Sequence, residues 1–211
     1  MHRLGSITVV AALACMASTA FAEGGYENHF ASVLVDGKKM GNVHYTVKTN
    51  DQGELEELKT KVSLSLLGVK LYDFAQQLHE QWSKGDLQTM WGNTNDDGKV
   101  DEVNLERTAT EYDATLNGKS LVLPHDAFPI SLWHYAVSQQ SLLFDLSNLK
   151  LLKVQVSGGR ETIDWNGGKV DTERFDFTGD WKGSVWFDQD RQFIKAQYTS
   201  NKRLVTVLLD P

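Results

Sequence analysis

Hydrophobic and polar residues alternate along much of this 211-residue chain. Val43, Tyr45 and Val47 fall on one side of an extended backbone, while His44, Thr46 and Lys48 fall on the other. Val62, Leu64 and Leu66 alternate with Lys61, Ser63 and Ser65, and Ile194, Ala196 and Tyr198 with Lys195, Gln197 and Thr199. Successive side chains of a strand point to opposite faces, so this period of two predicts half-buried strands. A slip of one residue would invert every side chain, which fixes the register strongly. One long run places Tyr72, Phe74, Leu78 and Trp82 on a shared face, interrupted by the polar Gln76 and Glu80.

Turn signals separate these runs at short intervals. They are Asp36-Gly37, Asn50-Asp51-Gln52-Gly53, Lys84-Gly85, Asp96-Asp97-Gly98, Asn117-Gly118, Ser157-Gly158-Gly159, Asn166-Gly167-Gly168 and Asp188-Gln189-Asp190. Such residues accept positive φ or cap a tight turn with side-chain oxygens, and their spacing predicts an antiparallel meander. Several runs exceed the ~5–6 residues of a common strand, and long strands in one sheet twist and curl. The expectation is a mainly β protein: one strongly curved antiparallel sheet, or an incomplete β-barrel.

The pattern breaks between Leu123 and Phe144. Two of the chain's three prolines, Pro124 and Pro129, stand here. Proline lacks a ladder donor and fixes φ, so these two end a strand series. Ser131 is placed to cap a helix, with Leu132, Trp133, Ala136, Val137, Gln140 and Leu143 at roughly helical spacing. The spacing predicts a short helical cover near residues 131–143, over the concave face of the sheet. A two-lobe division near 120–148 is the alternative to a single β-rich domain over 23–211.

Residues 1–22 read as a signal peptide. His2 and Arg3 give a charged start, Ile7 to Met16 is mostly apolar, and Ala20-Phe21-Ala22 fits a cleavage site. That apolar stretch is shorter than the ~20 residues of a membrane helix, and no later run is long enough, so no transmembrane segment is expected in the mature chain. The expected location is the periplasm. Ala12-Leu13-Ala14-Cys15 loosely resembles a lipobox, which makes a lipid anchor on Cys15 the alternative; alanine stands where leucine is preferred. Cys15 is the only cysteine, so cleavage after Ala22 leaves no thiol for disulfides or thiolate metal sites. Cleavage would also leave 20 basic against 28 acidic residues, a net charge of −8. An acidic surface repels phosphate backbones, so no nucleic-acid partner is expected.

Candidate chemistry is sparse. Asn93-x-Asn95-x-Asp97-Gly98 resembles the start of a calcium loop, but Asn104 stands where the bidentate glutamate belongs, and a polar hairpin turn accounts for the pattern. His79-Glu80-Gln81-Trp82-Ser83 begins like a zinc-protease helix but lacks the second histidine, and alternation puts His79 and Glu80 on opposite faces. No metal, cofactor or catalytic residue is assigned on this basis. Glu80 shares the face of Tyr72, Phe74, Leu78 and Trp82. Burial there would be costly for its charge unless it is paired, and would raise its pKa. Trp133 and His134 are placed to line a ligand cavity beneath the cover, or simply to plug the core. The candidate ligand-binding residues are therefore Tyr72, Phe74, Leu78, Glu80, Trp82, Trp133 and His134. No nucleophile elbow, phosphate-binding loop or dinucleotide fingerprint occurs.

A set of short motifs runs through the chain in order. They are Asp36-Gly37-Lys38-Lys39-x-Gly41, Asp96-Asp97-Gly98-Lys99, Leu123-Pro124, Pro129-x-Ser131-x-Trp133, Gly159-x-Glu161, Arg174-Phe175-x-Phe177-Thr178-Gly179-Asp180 and Trp186-Phe187-Asp188. Together, over about residues 26 to 209, they resemble an uncharacterised family of exported Gram-negative proteins, a domain of unknown function. More distantly the chain resembles the half-barrel lipoprotein carriers of the periplasm. The resemblance implies a curved sheet with helical cover and carries over no catalytic residues. The expected function is non-enzymatic binding of an apolar or lipid-like ligand in the periplasm. The alternatives are an interaction module with an envelope protein partner, and a hydrolase-type enzyme working through Glu80 or a histidine.

Overall fold

Five of the expected turns form two-residue hairpin loops in which both residues take positive φ: Asp36-Gly37, Lys84-Gly85, Asp97-Gly98, Asn117-Gly118 and Asn166-Gly167. Turns of this kind match the right-handed twist of the strands they join. They organise a computed structural model that describes residues 25–50, 53–66, 69–200 and 202–211. Residues 51 and 52 of the turn expected at Asn50 to Gly53 lie outside the described residues, as does the expected signal peptide with Cys15.

The first half of the chain is a meander of eight strands: β1 (Tyr26–Val35), β2 (Lys38–Asn50), β3 (Gly53–Leu66), β4 (Val69–Ser83), β5 (Asp86–Asp96), β6 (Lys99–Arg107), β7 (Glu111–Leu116) and β8 (Lys119–Pro124). Then come two short strands, β9 (Phe128–Pro129) and β10 (Leu142–Phe144), and five more: β11 (Leu151–Trp165), β12 (Gly168–Gly179), β13 (Gly183–Phe187), β14 (Phe193–Ser200) and β15 (Arg203–Leu209). All belong to one sheet in the order β8-β7-β6-β5-β4-β3-β2-β1-β15-β14-β13-β12-β11-β10-β9. The pairings are antiparallel except β9 with β10. The first and last strands pair at the middle of the sheet, from Ala31 opposite Leu209 to Val35 opposite Val205.

This order fixes the shape. Fifteen strands at ~4.8 Å spacing would span roughly 65–70 Å if flat. Yet the outermost strands β8 and β9 are joined by residues 125–127 alone. The four Cα steps from Pro124 to Phe128 reach at most about 14 Å. The sheet therefore curls until its two edges lie side by side, without a ladder between them. Close strand approach makes room for the curl: a Cβ on Gly41 or Gly92 would collide with the backbone oxygens of Lys61 and Gln77 on the neighbouring strands.

The inner face holds two apolar clusters. One gathers Leu78, Trp82, Leu87, Met90, Val103 and Leu105 with Phe144, Leu146 and Leu149 of the returning chain. The other gathers Ala31, Val33, Val43, Val62, Val185, Phe187 and Val207. Leu58 and Phe128 pack against both.

The helical cover expected over 131–143 does not form. Among the described residues there is no α-helix, only a 3-10 segment, Tyr135–Gln139, followed by β10. Ser131 is no cap: His134 stands before the first turn and makes no side-chain cap bond. Tertiary pairing explains the difference. Pro129 lies opposite Phe144 in a parallel ladder, and the Ile130 amide donates to the Phe144 carbonyl at 3.0 Å. That ties the two ends of the segment together, and the chain between them closes as a loop with a single 3-10 turn. The cover is an irregular crossing segment. No helix among the described residues is long and apolar enough to cross a membrane.

Phe144 is fully buried where the returning chain fills the curled sheet, with its ring 6.3 Å from that of Tyr112 on β7. Phe144→Ala is expected to destabilise the protein by about 3–5 kcal/mol, measured by urea denaturation. A loss under about 1 kcal/mol would contradict this packing.

Candidate functional site

Strands β3 and β4 pair in a register that sets Glu56 directly opposite Glu80. Both face inward and are almost completely buried, at 2% and 3% exposure. Like charges directly opposite one another destabilise a sheet, and burial penalises each further. The neighbourhood answers both problems. His134 Nε2 lies 2.8 Å from Glu56 Oε2, and the Tyr45 hydroxyl of β2 also hydrogen-bonds Glu56. Trp82 Nε1 donates to Glu80 Oε2 at 3.0 Å, and Ser131 hydrogen-bonds the same carboxyl group. The rings add stiffness. His134 stacks on Trp82 with centroids 4.1 Å apart, and Trp133 stacks on Tyr45 at 4.6 Å.

The charges are linked. Burial, and then the charge of Glu56, push Glu80 up to about 7, against the opposing pull of His134, Trp82 and Ser131. Burial alone would lower His134, but its hydrogen bond to Glu56 and the charges of Glu56, Glu80 and Glu54 leave it above its ordinary value. Burial, with Glu56 beside it, raises Tyr45 and keeps it a phenol. Near neutrality Glu80 thus shares its time between acid and carboxylate, beside the contact of His134 with Glu56. The carboxylate and imidazole atoms of Glu56, Glu80 and His134 lie within 4.8 Å of one another. In this structure their protein hydrogen bonds satisfy them.

Beside this polar group lies a cavity of about 500 Å³. Val33, Val43, Val62, Phe74, Val205 and Val207 line it from five neighbouring strands, and Ile130, Ser131, Leu132 and Trp133 close one side. Thr60, Gln76 and Arg203 are among its polar lining groups.

The residues singled out in the sequence divide between these features. Tyr72, Phe74 and Trp133 line the cavity. Glu80, Trp82 and His134 belong to the polar cluster. Leu78 is fully buried in the filled apolar cluster and does not line the cavity. Glu56, Tyr45 and Ser131 were not anticipated as partners of Glu80. Nothing local marks Glu56: it sits in the run Glu54-Leu55-Glu56-Glu57, which reads as a solvated strand, and only the pairing with β4 reveals it. His79 lies on the opposite face, stacked on Trp91 at 5.0 Å. The calcium-like stretch is a hairpin turn, in which Asn95 Oδ1 accepts from the Gly98 amide at 2.8 Å.

A model of DUF6134, a domain of unknown function, matches residues 32–209. The chain belongs to the DUF6134 family. No curated protein matches this DUF6134 chain. Among solved structures it is similar to the beta-barrel-like protein of the domain of unknown function DUF1849 from Brucella abortus, with a TM-score of 0.61 and 9% identity. That match covers 88% of the DUF6134 chain and 95% of the Brucella chain. At this identity the likeness concerns the fold, and the fold it supports is the curled, barrel-like sheet.

The polar cluster makes stability depend on pH. Glu80 binds its proton more tightly folded, at about 7, than unfolded, at 4.5. Its stabilisation is complete below 4.5 and is lost as pH rises through about 7. His134, also raised, contributes stability below 6.5 that is lost above its folded value. Denaturation midpoints at pH 5 and pH 8 are expected to show the wild type losing stability relative to Glu80→Gln as pH rises; a constant difference would contradict the coupling. His134→Ala leaves Glu56 buried without its cation and is expected to cost roughly 3 kcal/mol at pH 7, read by the same method.

Proposed function

We propose that this DUF6134 chain is a non-enzymatic binding protein that holds an apolar ligand, of the acyl-chain class, in the cavity beside Trp133. The observation that carries the reading is the cavity itself: about 500 Å³, walled by valines and aromatic rings inside a curled sheet. That volume falls within the ~300–1,000 Å³ of small-molecule sites, which are mostly apolar with a few placed polar groups. Each methylene buried there contributes about 0.8 kcal/mol, so part of one acyl chain suffices for useful affinity. The likeness of the sequence to carriers with curved sheets supports the same reading. The leader-like pattern of residues 1–22 supports a periplasmic setting, where such a protein would meet lipids outside a bilayer.

Two measurements test this. Mass spectrometry of solvent extracts from gently purified protein is expected to recover an acyl-chain compound in near-stoichiometric amount. Thr60→Trp projects an indole into the cavity and is expected to abolish binding of the uncharged fluorophore N-phenylnaphthylamine while leaving the β-type circular dichroism spectrum intact. Equal fluorophore binding by wild type and Thr60→Trp would remove the cavity as the site. Cell fractionation tests the setting: recovery in the cytoplasm would contradict it.

A further inference from the structure

We propose that Glu56, Glu80 and His134 form a proton-operated latch on the cavity, so that the chain retains its apolar ligand at mildly acidic pH and releases it as the pH rises. This rests on the cavity being the ligand site.

The argument is one of shared parts. Residues 130–134 lie between β9 and β10 and belong to neither strand. Their inner side is a wall of the cavity, through Ile130, Ser131, Leu132 and Trp133. Their attachment to the sheet runs through the polar cluster. Ser131 bonds Glu80, and His134 pairs with Glu56 at 2.8 Å. The wall and the anchor are thus the same five residues, and neither can move without the other.

The ionisable groups facing His134 are Glu54 and Glu56 from β3 and Glu80 from β4. Tyr45 from β2 faces the same carboxylates. His134 is the cation that acts on Glu80 among the influences on its carboxyl group. With Glu80 protonated, Glu56 and His134 balance each other and the anchor carries no net charge. Loss of the Glu80 proton sets two carboxylates opposite one another across the β3–β4 pair. Loss of the His134 proton then removes the remaining attraction between segment and sheet. Each step favours an arrangement in which the segment lifts and water reaches the carboxylates, because a buried uncompensated charge is costly and a solvated one is not. The remaining hold is the Ile130 amide bond to the Phe144 carbonyl at one end and aromatic packing, chiefly Trp133 against Tyr45 and Phe193. That contact lets the segment swing as a unit without unfolding the sheet.

The test uses N-phenylnaphthylamine, whose charge does not change over the range, with full-length mature protein at pH 5 to 9. The wild type is expected to bind at least about tenfold more weakly at pH 8 than at pH 5, since each unit of pKa difference between closed and open forms supplies a factor of about ten. Glu80→Gln, which mimics the protonated acid, is expected to lose clearly less affinity between pH 5 and pH 8 than the wild type, keeping only the part of the slope that His134 supplies. A flat wild-type profile, or the same slope in Glu80→Gln, overturns the latch while leaving the cavity in place. Binding at no pH overturns the cavity reading, and the latch with it. Hydrogen exchange in the wild type gives a readout independent of any variant. Protection of the 130–134 amides, corrected for intrinsic rates, is expected to fall between pH 6 and pH 8; unchanged protection overturns the latch.

Discussion

Three residues, His125 to Ala127, join the two outermost strands of a fifteen-strand sheet. No flat or gently twisted arrangement satisfies so short a tether, and the rest of the architecture follows from it. The sheet must curl until β8 and β9 lie together, which creates an inside. An inside needs filling, and the chain fills it with what comes next: the segment after Pro124 turns inward instead of pairing with β8. The apolar sides of strands that would each be half-buried in an open sheet are thereby shared around one interior.

The filling is uneven, and that unevenness produces the site. Phe144, Leu146 and Leu149 plug the interior against β4 to β8, where Leu78, Leu87 and Met90 are essentially inaccessible. On the other side, Ile130, Leu132 and Trp133 of the crossing segment and the valines of β1, β2, β3 and β15 line the cavity. At the boundary the sheet register brings Glu56 and Glu80 face to face. A protein that only needed a core would gain from apolar residues at these two positions, since buried ion pairs rarely outperform packed hydrophobes. Their presence beside a cavity wall is what gives the cluster a functional reading.

Local chemistry was the more legible part of this sequence, although Ser157-Gly158-Gly159, expected to turn, runs on within β11. Turn dipeptides such as Asn117-Gly118 and Asn166-Gly167 declare their own backbone conformation, and period-two alternation places Tyr72, Phe74 and Trp82 on the inner face. What could not be read was anything set by partners distant in the chain. The apolar spacing from Leu132 to Leu143 mimics a helical stripe, yet the pairing of Pro129 with Phe144 decides the conformation of these residues. Glu56 is hidden for the same reason. Its acidic surroundings suggest solvent, and its burial depends on strand register and on a histidine 78 positions away. Leu78 was rightly placed on the inner face, but whether that face meets a plug or a void depends on chain more than sixty residues later.

The central claim is that the curled sheet and the crossing segment together wall a largely apolar space. Diffraction from crystals pressurised with xenon addresses it most directly, because xenon enters dry apolar cavities and scatters strongly. The account predicts a xenon peak between Val62, Phe74 and Val205, beneath Leu132 and Trp133. Side chains collapsed into that volume, with no xenon among them, would contradict it.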